Sequence, residues 1–135
     1  MPPSASRNPS RPLSPHLTIW RWGPHMIVSI LHRATGGALT VAGLALLCWW
    51  LIAIAAGAQA YATFAAVVTS PLGLLVLIGL SWAFFQHSFS GIRHLVMDIG
   101  AGFELKINKS MAIATIVASL IATAALWVYL LGVVR

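Results

Sequence analysis

The sequence predicts an all-α integral membrane protein with three transmembrane helices, its N-terminus inside and its C-terminus outside. Three observations carry that expectation. Of the 135 residues, 59% are hydrophobic and 7% charged, whereas soluble domains carry roughly a quarter charged residues. No formal charge falls between Arg33 and Arg93, nor between Lys109 and Arg135. A spanning helix needs about 20 mostly apolar residues, so the first gap holds two spans and the second holds one. Finally, basic residues mark alternate connections. Arg7, Arg11, Arg21 and Arg33 precede or open the first span, and none follows it. Lys106 and Lys109, with Arg93 nearby, lie between the second and third spans, and Arg135 stands alone at the end. The positive-inside rule therefore sets the orientation. An odd number of spans puts the two termini on opposite sides, so count and charge agree.

Residues 1–25 are expected to form a tail and interfacial segment, and residues 26–135 a three-helix transmembrane domain. The opening stretch is rich in Pro and Ser and lacks an apolar h-region, so it does not read as a secretory signal. Arg and Ser without acid faintly suit an organellar transit peptide, but the segment is short and broken by prolines. A disordered tail is the expectation. The first span is placed at about 26–56, with Pro24 suited to its first turn and Gly57 to its end. Trp20 and Trp22 flank Arg21 as an interfacial belt would, and Trp49 and Trp50 lie toward the other end. Gly36, Gly37 and Gly43 offer close helix contact. The second span is placed at about 71–97, with Ser70 as N-cap, Pro71 at the first helical position, and Asp98 to Gly100 closing it. The third covers about 110–133, with Asn108 or Ser110 as cap.

Several function classes are excluded or weakened. The formal charge of +6 is not gathered into a nucleic-acid patch; the basic residues sit at the ends of apolar stretches, and no nucleic-acid partner is expected. No paired carboxylates, CxxC, phosphate-cradling glycine loop or nucleophile triad occurs, so hydrolysis and phosphoryl transfer find no support. The lone Cys48 is expected to be a small buried hydrophobe. Asp98 and Glu104, the two acids, fall in loops, where capping or docking to a soluble partner suits them.

The informative residues are polar ones inside apolar stretches. His16, His25, His32, His87 and His94 all fall on the inner half in this topology. On the second span, His87, Gly91 and His94 stand at i, i+4 and i+7, on one helix face. His87 lies roughly 15 Å along the helix from its inner end. An imidazole at that depth is costly, and intramembrane ionisable groups point to function. A heme would use one axial imidazole, with Gly91 giving clearance; the same spacing also suits an interhelical hydrogen bond. Arg93 and His94 fit heme propionates, or plain topology markers. On the first span, Ser29 and Arg33 stand at i and i+4, with His32 between. A hydroxyl beside a guanidinium offers donors to a quinone carbonyl; alternatively, Arg33 snorkels back to the interface.

Two segments resemble a known family. RPLSPHL from Arg11 to Leu17, followed by SILHRATG from Ser29 to Gly36, looks like the opening of the succinate dehydrogenase cytochrome b subunit, the larger membrane anchor of respiratory complex II. HSFSGIRHLVMD from His87 to Asp98 is similar to that family's H-x3-G-x-R-H-x3-D pattern at every defining position. The resemblance covers the first two spans; the third matches only in being apolar. It implies that His87 is an axial ligand of a heme b shared with a smaller anchor chain, which gives the second histidine. It implies that His32, Arg33 and His94, with Arg93 as a further neighbour, lie near the propionates, and that Ser29 and Arg33 line a ubiquinone site facing an iron–sulfur subunit. FAD and the iron–sulfur clusters would belong to the flavoprotein and iron–sulfur partners. Trp20 stands where relatives often have tyrosine, a departure that touches only local interface contacts.

The function so implied is electron transfer from succinate oxidation to ubiquinone, as a subunit of succinate:quinone oxidoreductase that is not catalytic alone. Two other readings stay open here: a fumarate reductase anchor working in reverse, and a transport or structural subunit without heme. The implied location is a bacterial inner membrane, with the mitochondrial inner membrane as the alternative.

Overall fold

The computed structural model describes residues 22–133. Three helices are long and apolar enough to cross a membrane: Pro24–Ala56, Pro71–Asp98 and Leu105–Val133. We call them the first, second and third spans. Their number agrees with the sequence reading. Arg7, Arg11, His16, Trp20, Arg21 and Arg135 lie outside the described residues.

Pro24 opens the first span without needing a backbone N–H there, as expected of a first-turn proline. Midway, residues Leu39–Gly43 widen into a π turn in which the Leu44 N–H reaches back five residues to the Leu39 carbonyl. Gly36, Gly37 and Gly43 bracket this turn, and the Thr40 hydroxyl donates to the Gly36 carbonyl at 2.9 Å. The span ends at Gly57, whose φ of 101° and ψ of −177° suit only glycine.

Between the first and second spans the structure has a short helix, Ala58–Val68, where the span boundaries at 56 and 71 predict a loop. Its sequence, AQAYATFAAVV, is rich in alanine, the best helix former, and it packs back on the end of the first span through Phe64, edge-on to Trp49 with centroids 5.0 Å apart. The second span starts as expected: the Ser70 Oγ accepts from Gly73 N at 3.2 Å, and Pro71 follows. The third span begins at Leu105, about one turn earlier than the sequence reading placed it. Glu104 marks its start, its carbonyl accepting from Asn108 N at 2.8 Å. Asn108 and Ser110 are therefore inside the helix and not caps. Lys106 and Lys109 misled the boundary, because a charged turn can extend a helix past the apolar layer as readily as end it.

The second and third spans pack along most of their length, and the first lies against both. What they bury is small or polar: Val28, Ala53, Ala83 and Ala112, beside Thr35, Gln86, Ser90, Arg93, Thr115, Ser119 and Thr123. The large apolar side chains face outward, among them Val41, Ile52, Leu72, Leu75 and Val128. Cys48 is exposed with them, contrary to the expectation that it is buried. This inverted pattern is the arrangement lipid selects. Apolar side chains gain nothing by leaving hydrocarbon, so helices associate through close packing of small residues and through hydrogen bonds. The buried hydroxyls satisfy themselves locally: Thr115 donates to Ala112 O at 2.8 Å and Thr123 to Ser119 O at 2.7 Å. The Ser119 hydroxyl also reaches across to the second span, donating to the Gln86 Oε1 at 2.8 Å.

A glycine holds the corner between the short helix and the second span. A Cβ on Gly73 would run into the carbonyl oxygens of Val67 and Val68, and backbone cannot swing aside as a side chain can. Gly73→Ala is expected to cost about 1–3 kcal/mol, lowering the thermal midpoint of the detergent-solubilised protein followed by circular dichroism. Gly79→Ala, where an added Cβ meets nothing within 4 Å, is the matched control and leaves the midpoint in place.

Candidate functional site

Three of the five histidines meet where the first and second spans cross. The rings of His32 and His87 stack with centroids 4.0 Å apart and planes 6° from parallel. His94 closes the group, 4.8 Å from His32 and tilted by 36°. Two glycines permit this. Gly36 lies against His87, where a Cβ would come to 2.9 Å of the ring's Cε1. Gly91, expected to clear space for a macrocycle, faces the His32 ring, where a Cβ would sit at 3.9 Å. The close approach is thus set by Gly36 more than by Gly91.

Hydrogen bonds fix which ring nitrogens remain available. The Nδ1 of His87 lies 3.0 Å from the backbone carbonyl of His32. A carbonyl only accepts, so this nitrogen carries the proton and donates, leaving the lone pair on Nε2. The Thr35 hydroxyl, 3.5 Å from the same Nδ1, does not compete, since it donates to Leu31 O at 2.7 Å. His94 repeats the pattern: its Nδ1 donates to Ser90 O at 2.7 Å. Two imidazoles therefore present Nε2 acceptors of fixed tautomer, the form in which histidine binds a metal, with the second N–H anchored on a backbone carbonyl. The Nδ1 of His32 is buried without a partner. Among the described residues no group of three or more His, Cys, Asp or Glu is placed to enclose a metal ion. The donor set suits instead an iron already held in a macrocycle, which asks the protein only for axial imidazoles.

Ser29, His32, Arg33 and Gly36 follow one another at i, i+3, i+4 and i+7, a single stripe. Because His32 and Gly36 touch His87, the stripe continues toward the start of the span past the side where His94 sits. Ser29 is half-buried there, while Arg33 and His25 are exposed. Asp98 and Glu104 are exposed at the turn between the second and third spans.

Arg93 departs from the group expected around His94. Neighbouring helical residues point about 100° apart, which turns Arg93 about 120° from His87 around the helix. Its side chain is 6% exposed and lies against the third span. There its Nη2 donates to Asn108 Oδ1 at 2.7 Å, while Nε has no partner. The Asn108 amide in turn donates to Gly102 O at 3.3 Å and contacts the Met97 sulfur at 3.4 Å. Arg93 and Asn108 thus latch the turn joining the two helices, at Gly102, whose φ is 78°. Sequence reasoning missed this partnership because it took Asn108 for a cap. It also missed the Gln86–Ser119 bond, for which a lone glutamine in an apolar run was the available signal.

Removing the acceptor strands a buried guanidinium. Asn108→Leu is expected to cost about 1.5–3 kcal/mol, whereas the double variant Arg93→Leu/Asn108→Leu removes both partners and recovers part of that loss. Unfolding free energies in mixed micelles decide it; additive losses would show that the two side chains do not act as a pair.

Comparison with known proteins bears on the same residues. The model of the succinate dehydrogenase/fumarate reductase transmembrane subunit family matches residues 7–126. The succinate dehydrogenase cytochrome b556 subunit of Paracoccus denitrificans is 42% identical over 112 residues, covering 83% of this chain and 85% of that protein. Its counterpart in Rickettsia felis is 40% identical over 118 residues, 87% of this chain and 91% of that protein. The mitochondrial succinate dehydrogenase cytochrome b560 subunit of Sus scrofa is 37% identical over 100 residues, covering 71% of this chain and 57% of that protein. The bacterial relatives and the three spans fit a multi-pass protein of the bacterial inner membrane. A match over most of the chain, across both histidine-bearing spans, makes it a member of the succinate dehydrogenase/fumarate reductase transmembrane subunit family.

Proposed function

We propose that this chain is the cytochrome b anchor of a succinate dehydrogenase, binding one face of a heme b and part of a ubiquinone site. The observation that carries the reading is the His87 imidazole, whose Nδ1 is committed to the His32 carbonyl so that Nε2 is the ring nitrogen left to bind a ligand. His87 would then hold the heme iron through Nε2, and a smaller hydrophobic anchor subunit would give the second histidine. When bound, the heme supplies a one-electron redox centre. His94 and His32, which ring His87 on one side, and Arg33 on the adjoining stripe offer donors to its propionates. Arg93, turned to the third span, is left out of that set.

Ser29 and Arg33 hold the quinone in this reading. Reduction to the quinol places two electrons and two protons on the ring oxygens. A hydroxyl and a guanidinium donate hydrogen bonds to one carbonyl oxygen, orienting it and stabilising the charge that builds there. Electrons come from FAD and iron–sulfur clusters in the flavoprotein and iron–sulfur subunits. The N-terminal end of the first span faces inside, where those soluble subunits sit. The same frame serves a fumarate reductase, which runs the electrons the other way; the ratio of succinate–ubiquinone to quinol–fumarate rates in the purified complex separates them.

Replacing His87 with leucine is expected to remove or shift the b-type bands of the reduced complex, and an unchanged spectrum would rule out the ligand assignment. For the quinone site, Ser29→Ala and Arg33→Leu should each lower the succinate–ubiquinone rate roughly 10- to 100-fold. Succinate oxidation with an artificial soluble acceptor should stay at wild-type levels in both variants, and the heme bands should stay in place in Ser29→Ala, whose side chain is not among the propionate donors. Loss of both activities together would place these residues in assembly instead.

A further inference from the structure

The end of the bundle where the second and third spans join carries a second polar arrangement, on the side away from the histidines. Lys106, Lys109 and Ser110 are exposed on one side of the third span's opening turns. Below them Ile113, Ala114 and Val117 continue that side as an open apolar trough. A second trough runs between the second and third spans, lined by Phe89, Ile92, Met111, Ala114 and Ala118, with Arg93 in its wall. The two troughs share Ala114, which lines both.

Charge at this end is unbalanced. The first turn of the third span has no acidic residue, and Lys106 and Lys109 oppose the helix dipole, which favours an anion there. Arg93 is 6% exposed, its recorded partner is the neutral Asn108 amide, and its Nε is buried with none. Asp98 stands four residues after His94 and so on the histidine face; Glu104, directly before Leu105, offsets one of the three cations Arg93, Lys106 and Lys109 and leaves an excess of positive charge.

We propose that this surface binds one acidic phospholipid. Its phosphate lies on Lys106, Lys109 and Ser110, and its two acyl chains straddle Ala114, one in each trough. A headgroup of net negative charge is selected over a zwitterionic one because the same end holds the buried Arg93 guanidinium in low dielectric, where a net charge is felt far more strongly than in water. The site is independent of the heme and quinone assignments.

The test uses the complex purified in mild detergent and exchanged into nanodiscs of phosphatidylcholine alone or with phosphatidylglycerol added, lipids retained after delipidation being counted by native mass spectrometry. Wild type should keep one phosphatidylglycerol and no tightly held phosphatidylcholine. Lys106→Gln/Lys109→Gln should weaken that retention roughly thirtyfold, Lys106→Arg/Lys109→Arg should restore it, and Ala114→Phe, which crowds both troughs, should abolish it. Equal retention of the two lipids by wild type, or unchanged retention in the Gln double variant, overturns the proposal. So does finding both troughs covered by a neighbouring subunit's helix.

Discussion

The backbone carbonyl of His32 is the acceptor on which the histidine cluster depends. An imidazole among lipid-embedded helices has no water to satisfy it, so each ring nitrogen must find a partner within the protein or in something bound. His87 reaches across to the neighbouring helix for one of its bonds, and that bond exists because Gly36 lets the helices approach. Stacking on His32 then fixes the ring plane. A glycine, a carbonyl and two rings thus settle the tautomer, the orientation and the exposed nitrogen together.

The rest of the packing obeys the same economy of polar groups. Gln86 and Ser119 pair across the second and third spans, Arg93 and Asn108 pair at their junction, and threonines bond back to their own helices. Individual interhelical bonds of this kind contribute on average about 0.6 kcal/mol in measured membrane proteins. Their value here lies in register as much as in energy. A helix that rotates on its axis loses its polar partners at once, whereas one packed by leucines against lipid-like neighbours loses little. His87 follows Gln86 directly, so the bond that sets the rotation of the second span also aims the histidine.

Much of this was legible in the sequence because membrane spans advertise themselves. The absence of charge from Arg33 to Arg93 left little choice of architecture, and Pro24, Ser70 and Pro71 marked their helix starts by mechanisms that do not depend on tertiary context. The convergence of His32, His87 and His94 followed from antiparallel spans and matching depth. What escaped was decided by direction around a helix. Arg93 neighbours His94 in the chain yet faces another element, and a list of adjacent polar residues does not separate the two. The early start at Leu105 and the helix from Ala58 to Val68 escaped for a different reason: near the interface, charged and alanine-rich segments lose nothing by staying helical.

The first span has a further consequence through its length. Its 33 residues measure roughly 50 Å, against a hydrocarbon thickness of about 30 Å. A tilt of about 20° brings only about 21 residues into the apolar layer. The continuously apolar part lies after Gly37, so the dozen or so residues left over are the opening turns that carry His25, Ser29, His32 and Arg33. The crossing with His87 therefore sits off centre in the bilayer, nearer the boundary that the opening turns overrun than the middle of the oily layer.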